Sequence, residues 1–145
     1  MASDLAVVSL SGGLDSCVAA AIARAEGREL ALLHADYGQL TEARERCAFE
    51  AIADHYGVPG ERRLVISFEN LRRIGGSALT DPSIPLPEGA LHRSGVPVSY
   101  VPFRNAHLLA TAVSWAEVLK ARHIYVGFVE EDSSGYPDCR EAFLQ

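Results

Sequence analysis

The order of apolar runs and helical stretches predicts an α/β fold, a parallel sheet with helices on both faces. Three observations carry that expectation. Short apolar runs of strand length alternate with longer stretches that read as helices. The first run leads directly into a glycine turn and an alanine-rich helix. Repeated βα units joined by right-handed crossovers then place helices over both faces of one sheet.

Leu5–Leu10 reads as the first strand and Ser16–Glu26 as the first helix, closed by Gly27. Glu29–Ala35 is a second buried strand. From Thr41 to Tyr56, Ala43, Cys47, Ala51 and His55, beside Ala48, Ile52 and Tyr56, follow helical spacing on one face that is expected to be the inner one. Gly57 and Pro59 stop that helix, and Arg63–Ser67 is a third strand. Residues 68–102 break the rhythm, with five of the seven prolines (Pro82, Pro85, Pro87, Pro97 and Pro102). Such density excludes regular helix and most central strand pairing. The segment reads as an active-site flap with a short helix near Phe68–Ile74. Asn105 then caps a helix running to about Lys120, apolar around most of its circumference and so expected to be buried on two sides. His123–Phe128 is a fourth strand. Without a repeat or linker, residues 1–145 read as a single domain.

Ligands of open parallel sheets sit at the carboxyl ends of the strands. That rule gathers Ser11–Ser16, Asp36–Gln39, Val101–Asn105 and Val129–Arg140 at one edge. In the first of these, Ser11-Gly12-Gly13-Leu14-Asp15-Ser16, the strand-to-helix junction leaves main-chain N–H groups without intrahelical partners where the helix dipole favours an anion. Glycines let an anion approach the backbone, Ser11 and Ser16 add hydroxyl donors, and Asp15 offers a carboxylate to orient a metal ion. Neither a Walker loop nor G-x-G-x-x-G fits the string. It has the form SGGxDS, the pyrophosphate loop of enzymes that split ATP between its α and β phosphates. The fold is therefore read as Rossmann-like, with a nucleotide-binding stretch of Leu10, Ser11, Gly12, Gly13, Leu14, Asp15, Ser16, Cys17, Val18, Ala19 and Ala20.

Composition narrows the partners. Hydrophobic residues make up 48% and charged residues 22%, a globular balance, with no run long enough to span a membrane. The N-terminus has no basic region before its apolar segment, so a cytoplasmic setting is expected. A net charge of −6 disfavours direct nucleic-acid binding and points to small molecules. Three scattered cysteines form neither a C-x-x-C pair nor a disulfide framework.

Read together, the loops resemble the 7-cyano-7-deazaguanine synthase family. The matching strings are SGGLDS at Ser11–Ser16, DYGQ at Asp36–Gln39, SALTDPSIPLPEG at Ser77–Gly89, VPFRN at Val101–Asn105 and GYPDCREAF at Gly135–Phe143. The first is shared across PP-loop ATP pyrophosphatases, whose fold is that of the adenine nucleotide alpha hydrolases; the others are narrower. The resemblance implies a cytoplasmic ligase of queuosine biosynthesis, a tRNA modification pathway, that acts on a free base. It implies conversion of 7-carboxy-7-deazaguanine and ammonia to the nitrile through an adenylated carboxylate, with ATP and Mg2+. Members often form a homodimer.

Carried onto this sequence, SGGLDS holds the departing pyrophosphate, Asp15 aligns magnesium, and the adenosine lies near His34–Asp36. Arg104 engages either a phosphate or the substrate carboxylate through its fork of donors. Asp138 accepts from the guanine-like N1–H and exocyclic amine, or is simply a turn residue, and Arg140 contacts anionic groups. Cys139 lacks an adjacent histidine and reads as a packed residue. His34 and His55 read as core residues, His107 borders the site, and Tyr37, Tyr100 and Tyr136 either stack on purines or pack the core. Members of the family usually carry a later segment with four zinc-binding cysteines; Cys17, Cys47 and Cys139 cannot form such a site within one chain. That departure keeps open a second function, a nucleotide-binding module without catalysis, beside an adenylating enzyme with another acceptor.

Overall fold

Two strands with uninterrupted burial set the architecture. In β1 (Leu5–Ser9) every residue is buried, and in β2 (Glu29–Asp36) Leu30–His34 are buried. A strand covered on both faces belongs at the centre of a parallel sheet. The structure is a computed structural model describing residues 4–85, 99–128 and 136–145. β3 (Arg63–Ser67) flanks β2, and β4 (His123–Tyr125) flanks β1, giving the order β3-β2-β1-β4 with every pairing parallel. Leu5 pairs with Glu29, Ala6 with His123, and Leu32 with Arg63.

The helices are α1 (Leu14–Ala25), α2 (Glu42–His55), α3 (Glu69–Ile74), α4 (Arg104–Leu119) and α5 (Glu141–Leu144), with 3-10 turns at Gly60–Arg62 and Pro137–Cys139. The strand pleat sends alternate residues to opposite faces. Val8, Leu30 and Leu32 meet Ala20 and Ala23 of α1 and Phe49 and Ala53 of α2. Leu5, Val7, Ala31 and Leu33 meet Ala112 and Ala116 of α4, with Trp115, Leu108 and Ile124 around them. A smaller cluster of Tyr37, Leu71 and Val101 packs Phe68 and Leu79 beyond the end of β2.

Several expectations need correction. On α2, the Ala43, Cys47, Ala51 and His55 ladder lies outward, with Cys47 and His55 exposed; Phe49 and Ala53 form the core stripe. Small residues left the period ambiguous, and the one large aromatic side chain decided the face. α4 is buried on one side, since Val113 and Val118 are exposed. Asn105 does not cap α4: it lies within the first turn, and the cap position is Phe103, with left-handed backbone at φ 57°. β4 ends at Tyr125, three residues before the expected Phe128. α1 begins at Leu14, two residues early. β3 matches its expected bounds, and the short helix after it starts one residue late, at Glu69. Pro87, Gly89, His92, Pro97, Val129 and Gly135, and with them much of the flap and of the last loop, lie outside the described residues.

Among the described residues, no helix is long and apolar enough to cross a membrane.

Candidate active site

The strand order reverses between β1 and β4: the chain moves outward through β2 and β3, then returns past β1. The crevice at the carboxyl ends of those two strands is where such sheets bind ligands. A cavity of about 220 Å³ opens there, lined among others by Ser9, Leu10, Ser11, Ser16, Leu33, Tyr37, Glu45, Arg104 and Phe128.

One wall is the turn into α1. The Ser11 amide donates to Ser16 Oγ at 3.2 Å, the two serine hydroxyls are 3.1 Å apart, and Ser16 Oγ reaches the Gly13 carbonyl at 3.1 Å. Gly12 is in the left-handed region at φ 90°, and a Cβ there would lie 2.9 Å from both Ala48 Cβ and the Glu45 carbonyl. The turn is thus seated against α2, and only glycine fits. Gly13, the cap of α1, supplies no side-chain hydrogen bond to the first amides of the helix, which lack intrahelical partners. Asp15 is exposed in that first turn.

Behind the turn, His34 is buried between acceptors. Its Nδ1 lies 2.8 Å from the Leu10 carbonyl and its Nε2 3.1 Å from Asp36 Oδ1, while Asp36 Oδ2 accepts from Arg46 at 3.3 Å. His34 is a satisfied core residue that pins the exit of β1, as expected of it.

The opposite wall is Arg104. Its NH1 donates to the Tyr37 hydroxyl at 3.0 Å, its Nε to Asn105 Oδ1 at 3.2 Å, and its guanidinium stands 5.3 Å from the Tyr37 ring centre. Those partners are all neutral, and among the described residues no carboxylate lies within salt-bridge distance. A cation whose own partners are neutral keeps its charge for an anion, with Glu45, tied to Gln39 and Thr41, the acid among the residues that line the cavity. Tyr37 is nearly buried; burial pushes its phenol up, more than the Arg104 charge pulls it down.

The remaining candidates sit elsewhere. Asp138 is buried at the start of α4, where Oδ2 accepts the Asn105 N–H at 2.8 Å; a carboxylate there suits the helix dipole. Neither Asp138 nor Arg140 lines the cavity; Arg140 is exposed and reaches the Pro137 carbonyl at 3.4 Å. Cys139 receives the Asn105 side-chain amide at 3.0 Å, and burial followed by the Asp138 charge pushes its thiol up, which suits packing rather than attack. Tyr100 and Tyr136 pair with each other at 5.6 Å, and the Tyr136 and Ser99 hydroxyls lie 2.6 Å apart. His107 turns Nδ1 to the Phe103 carbonyl. Ala19 and Ala20 are buried on α1 and Val18 is half exposed there; of the expected nucleotide-binding stretch, Leu10, Ser11 and Ser16 line the cavity. Sequence reasoning missed Glu45, Leu108, Gly127 and Phe128. Gly127 had a signal, a glycine just after a strand: a Cβ there would lie 2.6 Å from the Ser16 amide nitrogen.

Similarity to known proteins shows the family. The profile of a family described as queuosine biosynthesis protein QueC matches residues 5–145. The chain belongs to the QueC family. A protein of Chloroherpeton thalassium named 7-cyano-7-deazaguanine synthase is 58% identical over 140 residues, which is 97% of this chain and 61% of that protein. Proteins of the same name from Chlorobium phaeobacteroides (strain DSM 266) and Koribacter versatilis are 58% and 56% identical, covering 95% and 97% of this chain and 60% of each relative. The chain therefore spans about 60% of the length of the QueC relatives it matches.

Proposed function

We propose that this chain is the nucleotide-binding and carboxylate-activating portion of a 7-cyano-7-deazaguanine synthase, acting in the cytoplasm. The observation that carries the proposal is the strand–glycine–helix turn at the switch point, facing Arg104 across one cavity. The identity shared with relatives named for that synthesis supports the product.

In this reading ATP places its adenosine in the cavity and its terminal phosphates at the first amides of α1. A carboxylate becomes a good electrophile only when one oxygen is made a leaving group, and joining it to the α phosphate does so. Amides aimed at the departing pyrophosphate stabilise charge as it develops. Arg104 neutralises an anionic oxygen where carboxylate and α phosphate meet. Ammonia then displaces AMP, and a second activation dehydrates the amide to the nitrile.

Magnesium fits the residues present. Among the described residues no cluster of three or more His, Cys, Asp or Glu side chains exists, but Mg2+ is commonly held by one carboxylate and by substrate phosphates. Asp15, exposed beside the amides, is that carboxylate. The ion's contribution is to neutralise phosphate charge. Zinc does not fit: Cys139 is buried, Cys47 exposed and Cys17 half-buried on separate elements, and no fourth thiolate exists in the sequence.

The test supplies 7-carboxy-7-deazaguanine, ammonia and Mg-ATP, and follows AMP and nitrile by mass spectrometry. Both should form, and Asp15→Asn should abolish AMP formation without unfolding the chain. ATP bound but not consumed would replace the proposal with a non-catalytic nucleotide module. AMP without nitrile would point to another acceptor.

A further inference from the structure

Tyr37 is an unused functional group inside the cavity. A phenol carries one proton and two lone pairs. Its oxygen already accepts from Arg104 NH1 at 3.0 Å, so its own proton is free for another acceptor, and among the described residues none takes it. The residue is 8% exposed and lines the cavity beside Leu10, Ser11 and Ser16.

The loop that carries Tyr37 is fixed on both sides. Its main-chain N–H donates to Gln39 Oε1 at 2.9 Å, and Gln39 Nε2 donates to Glu45 Oε2 at 2.9 Å. Thr41 Oγ1 holds the other Glu45 oxygen at 2.6 Å. Glu45 is also the residue whose carbonyl abuts Gly12. Hydrogen bonds thus tie the Tyr37 loop to Glu45, whose carbonyl packs against the glycine turn, while the phenol itself is held by Arg104.

We propose that the Tyr37 hydroxyl is a second donor, paired with Arg104, to a non-bridging oxygen of the phosphate attached to adenosine. Donation requires a neutral phenol, which tyrosine is at physiological pH, and burial pushes its titration higher still. Fixed donors around an anionic oxygen in a largely enclosed site hold more strongly than mobile water. The guanidinium lying near the ring face orients both groups together. The proposal rests on the reading that adenosine occupies this cavity.

Adenosine and AMP, titrated calorimetrically into the full chain, separate the phosphate contact from the rest. Tyr37→Phe keeps the ring and removes the hydroxyl. It should leave adenosine affinity unchanged and weaken AMP about tenfold, as for loss of one hydrogen bond to a charged group. Arg104→Gln should weaken AMP more, and the double variant should lose less than the two single losses combined. An unchanged AMP affinity in Tyr37→Phe overturns the proposal while leaving the cavity assignment intact. Equal losses for adenosine and AMP overturn it in favour of a packing role. Failure of the parent chain to bind either ligand removes the cavity assignment and the proposal with it. Should Tyr37→Phe not fold, 3-fluorotyrosine at position 37 gives the same reading: its more acidic hydroxyl should shift AMP and not adenosine, and no shift overturns the proposal.

Discussion

Placing a methyl group on Gly127 tests whether the first turn of α1 is the phosphate site. The new Cβ would stand 2.6 Å from the Ser16 nitrogen, 2.7 Å from the Asp15 carbonyl carbon and 2.9 Å from its oxygen, whereas ordinary contact begins near 3.4 Å. All three atoms are backbone, so no side chain can swing aside. The start of α1 must retreat by about 0.8 Å, or the loop after β4 must, and overpacking of this kind typically costs about 1–3 kcal/mol. For a chain of this size that lowers the melting midpoint by roughly 3–10 °C. The same displacement spoils the aim of the Ser16 amide. A hydrogen bond to a charged oxygen contributes about 1.5–3 kcal/mol, so ATP affinity should fall about 10- to 100-fold. Titration calorimetry with Mg-ATP, beside a thermal melt, reads both effects. Gly60→Ala is the control, because a Cβ there meets nothing within 4 Å and should change neither. A folded Gly127→Ala variant that binds Mg-ATP like the parent would show that these amides do not hold the phosphates.

Three further outcomes follow from the same geometry. Asp138→Ala leaves the buried Asn105 N–H without its acceptor, which costs about 1–3 kcal/mol, so the melting midpoint should fall by roughly 3–10 °C, while nucleotide affinity of the folded fraction should fall by less than in Arg104→Gln. Phe103 holds φ 57° with its ring 55% exposed, and Phe103→Gly removes a conformational penalty of about 1 kcal/mol, so urea denaturation should show a more stable chain despite the lost Phe143 contact. At pH 8 a disulfide reagent should modify exposed Cys47 rapidly and Cys139 only on unfolding, since burial holds the latter thiol protonated. Because its folded value is raised, that thiol's contribution to stability is complete below the ordinary thiol range and is lost as pH rises through the raised value, which melts between pH 7 and 10 will register as a decline.

The sheet was legible because its strands are apolar and short and because glycine ends the first of them. Their spatial order was not, since β3 and β4 are the less buried strands and nothing in either names its neighbour. The α2 face was misread for a related reason: alanine fits both sides of a helix, and Phe49 alone discriminates. At the candidate site, the glycine turn and Arg104, which line one cavity, were readable from residue chemistry. The partnership of Tyr37 with Arg104 joins positions 67 residues apart, and so depends on the loop after β2 meeting the start of α4. A glycine beside a strand marks Gly127 as a place of close approach, but that it abuts Ser16 is something local spacing does not encode.

The strings that made the resemblance narrow are largely those that assemble the wall rather than those that face the cavity. Ser77 reaches the Ser99 carbonyl at 3.2 Å, Ser99 meets Tyr136, and Asp138 and Cys139 hold Asn105. Three segments distant in sequence are thereby tied around the first turn of α4, whose leading residue is Arg104. A guanidinium on a flexible stem loses side-chain entropy when it is confined. Here the confinement comes before any ligand arrives, through Asn105 on one side and Tyr37 on the other. Buried polar residues such as Asp138 therefore act on the cavity at a distance: they fix the helix start, and the helix start fixes the cation. By this logic a variant in the tie should weaken AMP binding only in proportion to how far it frees Arg104, and by less than Arg104→Gln does in a chain that remains folded.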